Sequence, residues 1–254
     1  MLDDILAATR ARIAGLDEAG LRAQAGDLPE VRSLESALAG PGLSVIAEIK
    51  RRSPSRGDLA AGLDPARQAE AYEEGGAAAI SVLTEPEFFS GSLGDLAEVR
   101  RHVRIPVLRK DFILAASQVW ESRVAGADAL LLIVAALTDA ELRSLIEETT
   151  TAGLEALVEV HTAREAERAM AAGARIVGVN NRDLATFNVD LATAESLASA
   201  VAPAPVRVAE SGIFNGVDAG RMAGAGYQAV LVGEALVRAA DPSAAIRELR
   251  GESR

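Results

Sequence analysis

The chain of 254 residues contains no cysteine. That excludes disulfides, thiolate metal sites and thiol nucleophiles. Histidine occurs only at His102 and His161, which stand far apart in sequence. They make no metal-binding spacing. Aromatic residues are 3% of the chain, so its 49% of hydrophobic residues must build a core from Val, Ile, Leu and Ala. No apolar run reaches the roughly 18 residues of a membrane span. The start, Met1-Leu-Asp-Asp4, lacks both the basic and the apolar part of a secretory leader. A cytoplasmic protein is expected. The formal net charge of −11 opposes binding to nucleic acid or an anionic membrane. An anionic substrate would need a local basic site against that average, which draws attention to Lys and Arg at strand ends.

What is present is an alternation. Short β-branched or Leu-rich runs cover Ser44–Lys50, Ala78–Leu83, Ile105–Lys110, Ala129–Ile133, Glu155–Val160, Ile176–Asn180, Val206–Glu210 and Ala229–Val232. Amphipathic stretches lie between them near Asp64–Glu74, Ser92–Arg101, Ser117–Ala125, Asp139–Ala152, Ala163–Ala171, Leu191–Ala200 and Asn215–Ala223, with a last one ending near Arg250. Glycine commonly closes these stretches, as a helix C-terminus requires. Eight strand–helix repeats with nearly continuous apolar strands predict a closed parallel (β/α)₈ barrel, a TIM barrel of the α/β class. A doubly wound open sheet is the alternative, but it would want a glycine-rich fingerprint that residues 45–57 lack. One domain is expected over 1–254, with a barrel at 44–254 and an N-terminal helical extension at 1–43. The extension reads as helices near Leu2–Leu16, Glu18–Ala25 and Glu30–Leu38. Two placements are open for it, a cap under the barrel floor and a lid across its mouth.

In such a barrel the C-terminal strand ends form the active face. Six of the eight runs finish in polar or ionisable residues: Glu48-Ile-Lys50, Arg109-Lys-Asp111, Glu159-Val-His161, Asn180-Asn-Arg-Asp183, Glu210-Ser-Gly212 and Gly233-Glu234. The strand starts are bland. Residues i and i+2 of a strand face one side, so Glu48 and Lys50 project together, as a ligand-facing or a static pair. Gly212 and Gly233 close the last two strands, where backbone amides can approach a phosphate; the alternative is ordinary turn geometry. Lys50 and Arg182 supply counter-charges, unless Arg182 pairs with Asp183 instead.

For acid–base work the sequence points to Lys110, which shares a strand face with Leu108, and Glu159, which shares one with Leu157. In a partly dry, cation-rich pocket the lysine would lose proton affinity, and an unpaired glutamate would gain it; the alternative for either is a static ion pair with a neighbour. Asn180 suits holding a hydroxyl, or forms a turn with Asn181. Phe89 and Phe112, scarce aromatics beside charged residues, can stack on an aromatic ligand or pack a loop. Trp120 reads as core and His102 as surface. Glu85 and Asp111 read as loop-structuring, and Ser53 and Ser55 as carboxylate binders or loop caps.

The blocks Ile46-Ala-Glu-Ile-Lys-Arg-Arg-Ser-Pro-Ser55, Ser81-Val-Leu-Thr-Glu85, Phe89-Ser-Gly-Ser92, Leu108-Arg-Lys-Asp-Phe112, Leu157-Val-Glu-Val-His161, Gly178-Val-Asn-Asn-Arg-Asp-Leu184, Ala209-Glu-Ser-Gly-Ile213 and Leu231-Val-Gly-Glu234 occur in this order. With them the chain resembles the indole-3-glycerol-phosphate synthase family. The resemblance implies a carbon–carbon lyase of tryptophan biosynthesis. It would act without a cofactor on a phosphorylated small molecule, 1-(2-carboxyphenylamino)-1-deoxyribulose 5-phosphate. It implies Lys110 as general acid at the ribulose carbonyl and Glu159 as acid/base of the dehydration, with Glu48, Lys50, Asn180 and Glu210 completing the catalytic set. Phosphate would fall to Lys50, Arg182, Ser211, Gly212, Gly233 and the Glu234 amide. Ser53, Phe89, Phe112, Leu131 and Leu184 would enclose the anthranilate carboxylate and ring. A related barrel, phosphoribosylanthranilate isomerase, needs a Cys/Asp pair that a cysteine-free chain cannot supply. A barrel that binds a phosphorylated metabolite without turnover is the non-enzymatic alternative. A monomer is expected, or at most a weak dimer.

Overall fold

Eight β-branched stretches, each apolar on both faces, become eight parallel strands. A computed structural model describes residues 2–252 apart from 55, 56, 61, 184 and 185, so Ser55 and Leu184 lie outside the described residues. The strands are β1 Ser44–Ile49, β2 Ala79–Leu83, β3 Val107–Lys110, β4 Ala129–Ile133, β5 Glu155–Val160, β6 Ile176–Asn180, β7 Val206–Glu210 and β8 Ala229–Val232. Each pairs with its neighbours in sequence, and β1 pairs with both β2 and β8, so the ring closes. The open sheet is excluded. Helices fill the crossovers at or within two residues of their expected bounds. Their turns end on glycines such as Gly76, Gly126 and Gly173, all with φ near +90°.

Strand alternation divides the apolar residues into two layers. Ile46, Leu108, Leu131, Leu157, Val208 and Leu231 fill the barrel interior. Val45, Ile80, Val107, Leu130, Val158 and Val230 pack outward beneath the helices. Leu, Ile, Val and Ala do nearly all of this packing, as the shortage of aromatics demands.

The N-terminal extension reaches both ends of the barrel. Helix α1 (Leu2–Ile13) puts Leu2 and Ile5 against the barrel mouth, and its Arg12 bonds Asp111 at 2.9 Å. Helix α2 (Glu18–Ala25) descends the outer wall, where Arg22 lies 4.7 Å over the Trp120 ring. Helix α3 (Leu34–Leu38) plugs the floor, its fully buried Leu34 and Leu38 joining the interior layer. Burying a leucine contributes about 1.5–3 kcal/mol. The third helix is shorter than expected because residues 32–35 are tied to the floor. The Arg32 amide donates to Asp128, and Ser33 and the Glu35 amide bond Glu155. No helix among the described residues is long and apolar enough to cross a membrane.

Candidate active site

Parallel strands all finish on one rim, and here those ends surround a single cavity. It holds about 1230 Å³ of empty space, mouth included. Its lining includes Glu48, Lys50, Lys110, Glu159, Asn180 and Glu210, together with Ser53, Phe89, Phe112, Leu131, Arg182, Ser211, Gly212, Gly233 and Glu234. Every residue expected at the site and lying within the described set is therefore brought together.

Register explains the geometry of the acids. Asn180 of β6 lies level with Glu210 of β7, and Glu159 of β5 with Gly178 of β6. A Cβ on Gly178 would collide with the Glu210 carboxylate and come within 3.2 Å of Leu157. The glycine thus opens the interior layer so that Glu210 can lean across. Gly233 has the same function on the opposite side. Its φ is −121°, which any residue adopts, but a Cβ would run into the Glu48 carboxylate.

Around these gaps the charges form one cluster. Lys50 Nζ is 2.5 Å from Glu48 Oε1. Lys110 Nζ is 3.4 Å from Glu159 Oε2 and 3.5 Å from Glu210 Oε2. The Asn180 side-chain Oδ1 accepts the Arg182 backbone N–H at 3.0 Å.

The expectation of a cation-rich pocket is wrong, and the direction of the lysine's shift reverses with it. Burial pulls the Lys110 ammonium down, but Glu159, Glu210 and Glu48 outweigh it and hold the proton on more firmly than usual. Burial pushes Glu159 up, yet Lys110, His161 and Asn180 hold it well below the ordinary carboxylate range. Glu48 is likewise lowered against its burial, by Lys50 and Lys110. Glu210 is the exception: burial, with Glu159 and Glu48 nearby, raises it to about 8 despite Lys110. The arginines that adjoin the two lysines point elsewhere. Arg51 forks onto Asp95, and Arg109 is buried against Asp111, Thr84 and Ser122.

The remaining walls follow from loops. Phe89 and Phe112 stand 6.3 Å apart between ring centroids, tilted by 38°. Glu85 caps the turn that carries Phe89, accepting the amides of residues 87–89. Asp111 accepts from Arg12, Arg109, Thr84 and the Phe112 amide. Both acids are loop-structuring, as expected. Ser211 and Gly212 have φ of 63° and 79°, so the chain reverses at the end of β7, and Asn181 holds the Ser211 carbonyl at 3.1 Å. The short helix Glu234–Val237 begins after Gly233 with no side chain capping it. His102 is exposed between Glu70 and Glu98, and Trp120 is buried and donates to Glu148.

Several participants escaped the sequence reading. Leu2 and Ile5 of α1, Phe187 and Phe214 also line the cavity. The shortage of aromatics was the missed signal, since four of the five phenylalanines converge there. A sharper signal was the lysine count. Of the 26 cationic residues only Lys50 and Lys110 are lysine, and both face the cavity. Everywhere else the chain uses arginine, which cannot release its proton in a protein.

Comparison with known proteins agrees with this arrangement. The chain matches the family model of indole-3-glycerol phosphate synthase over residues 2–249. Curated relatives of that name include one from Mycolicibacterium smegmatis, 51% identical over 255 residues, covering 98% of this chain and 93% of the relative. Another, from Rhodococcus jostii, is 50% identical over 249 residues, covering 98% and 93%. Among solved structures, a 3-hexulose-6-phosphate synthase superposes with TM-score 0.64 at 19% identity, covering 84% of this chain and 100% of that one. A thiamine phosphate pyrophosphorylase from Pyrococcus furiosus gives 0.63 at 20%, covering 87% and 97%. At such identities the likeness concerns the barrel alone. The sequence match, by contrast, spans α1, every strand end and both lysines of the mouth, and the chain belongs to the indole-3-glycerol phosphate synthase family.

Proposed function

We propose that Glu48, Lys50, Lys110, Glu159, Asn180 and Glu210 are the catalytic set with which this chain carries out the family's reaction. That reaction converts 1-(2-carboxyphenylamino)-1-deoxyribulose 5-phosphate to indole-3-glycerol phosphate, CO₂ and water. The observation that carries the assignment is the placement of Lys110, one of two lysines in the chain, between two buried carboxylates at the cavity wall.

Ring closure joins the carboxyl-bearing ring carbon to the ribulose carbonyl carbon, and the carbonyl oxygen must gain a proton as it does so. Lys110, kept charged by its acidic neighbours, is the donor. CO₂ then departs, and its bonding electrons restore the aromatic ring. Dehydration next removes a proton from the adjacent carbon and delivers one to the leaving hydroxyl. Glu159, ionised at rest, takes the first and supplies the second. Two protons reach the departing oxygen and one comes off carbon, so each turnover draws one proton from the protein. Glu210, whose burial strengthens its hold on a proton, lies beside the Lys110 amine and can restore it.

Orientation comes from opposite sides of the mouth. Lys50, Arg182, Ser211, Gly212, Gly233 and the Glu234 amide take the phosphate. Ser53, Phe89, Phe112 and Leu131 take the anthranilate carboxylate and ring, as does Leu184, outside the described residues. Holding a flexible substrate in a folded pose removes an entropic barrier that no proton transfer addresses.

Product fluorescence tests the assignment directly. Turnover is expected in EDTA without added metal, and Lys110→Arg should lower kcat by about 10²–10⁴-fold. Arginine keeps the charge but withholds the proton, so near-full activity in that variant would rule out proton donation at this position. The protein is proposed to act as a cytoplasmic monomer, and sedimentation would reveal a weak dimer instead.

A further inference from the structure

Two side chains beyond the cavity lining bear on the same chemistry. His161 follows β5 and lies two residues past Glu159, on the same strand face. Its Nε2 is 3.4 Å from Glu159 Oε1. That nitrogen is buried and makes no well-formed hydrogen bond among the described residues. On the other side of the ring, Nδ1 is 3.2 Å from Glu165 Oε2. The same carboxylate oxygen accepts the His161 backbone N–H at 2.8 Å. Glu165 is itself fixed, since Thr162 caps the helix Ala163–Ala171 by accepting the Glu165 amide.

We propose that His161 and Glu165 are positioning residues for the reaction, forming with Glu159 a carboxylate–imidazole–carboxylate chain that runs from the cavity to the start of helix Ala163–Ala171. The proposal rests on the acid/base role of Glu159 given above. Lys110 faces one oxygen of Glu159 and His161 faces the other. A carboxylate flanked by a cation at each oxygen is restrained in rotation, and it presents a lone pair to the substrate carbon. Glu165 supplies what the histidine lacks, an anchor that orients the ring and keeps it charged.

The electrostatics follow the same geometry. Burial disfavours the His161 imidazolium, yet Glu159 and Glu165 raise it to about 10. The charged groups acting on the ring are Glu159 on its own strand, Glu165 on the following helix and Glu210 from β7. Lys110 from β3 acts through the far oxygen of Glu159. Removing the imidazolium therefore takes away one of two cations that hold Glu159 ionised.

The test is a set of pH–rate profiles on the whole chain, with thermal unfolding to check that each variant folds. His161→Asn should lower kcat about tenfold, below the full worth of general acid–base catalysis, with KM within about twofold. The acid limb of its kcat profile should move to higher pH, because Glu159 now binds its proton more tightly. Glu165→Gln keeps the shape of the anchor, is read independently of the first variant, and should move the alkaline limb to lower pH. Unshifted limbs in both variants, with or without a uniform loss of kcat, would mean a structural role and overturn the proposal. Glu159→Gln separates the two readings. If it is inactive while the limbs stay unshifted, only the positioning chain fails; if it stays active, Glu159 has no acid/base role and the chain nothing to position.

Discussion

The two ends of the barrel both bury charge, and they treat it in opposite ways. At the floor, Asp128 is fully buried and accepts the amides of Val107 at 2.9 Å and Arg32 at 2.8 Å, with Arg100 at 3.2 Å. Glu155 is equally well served by Ser33 and the Glu35 amide, and Glu35 in turn holds Arg175. At the mouth, neither oxygen of Glu210 has a hydrogen-bond partner among the described residues, and Lys110 keeps its carboxylates at 3.4 and 3.5 Å. A saturated carboxylate stabilises the fold. An unsaturated one, held by surrounding structure, is free to take or give a proton. The contrast follows the general division of a barrel into a stabilising end and a chemical end.

Truncating the floor should give the largest effect on stability. Asp128→Ala strands two amides and Arg100, which should cost about 3 kcal/mol or more in urea unfolding. Its kcat should stay unchanged at temperatures where it is folded; an activity loss without a stability loss would erase the distinction between the ends.

A mid-sized effect should come from the mouth, with the sign set by pH. The folded state raises Glu210 from an ordinary 4.5 to about 8, so the native protein binds this proton more tightly than the unfolded chain. The resulting stability is present below pH 4.5 and is lost as pH rises through about 8. Glu210→Gln should remove that slope, so that the variant gains on the parent as pH rises from 5 to 8 and levels off above. His161 should add a later loss, since its stabilisation is complete below pH 6.5 and disappears as pH rises through about 10. Urea midpoints at pH 5, 7 and 9 would check both, and a parallel pH dependence in parent and Gln variant would refute the Glu210 assignment.

The smallest effect belongs to neither end. Arg221 and Glu195 form an exposed pair on the outer helices, and Arg221→Ala should barely lower the urea midpoint, and less still in salt. A larger loss would mean that the outer shell, too, depends on its ion pairs.

Much of this molecule is legible along the chain because both-faced burial writes itself into β-branched runs. The barrel strands lie within two residues of the predicted runs, and the block from Val206 to Gly212 could be assigned to a strand end and its loop by inspection. The pattern over Glu30–Leu38 predicts a longer helix than the one that forms, since nothing local reveals that Glu155, about 120 residues away, claims the Ser33 side chain and Glu35 amide. His161 and Glu165 were passed over because one histidine beside acids has no distinctive pattern until the ring is seen between two carboxylates.

The sequence by itself determined the repeat, the polar rim and the identities of the acids and bases, since side-chain chemistry and strand periodicity are local properties. Only the tertiary structure decided which charges meet. Ring closure carries Glu48, Lys110, Glu159 and Glu210 from four strands into one dry cluster, while the neighbouring Arg51 and Arg109 pair elsewhere. The sign of a pKa shift depends on that company, and distance through space, unlike periodicity, leaves no mark on the order of residues.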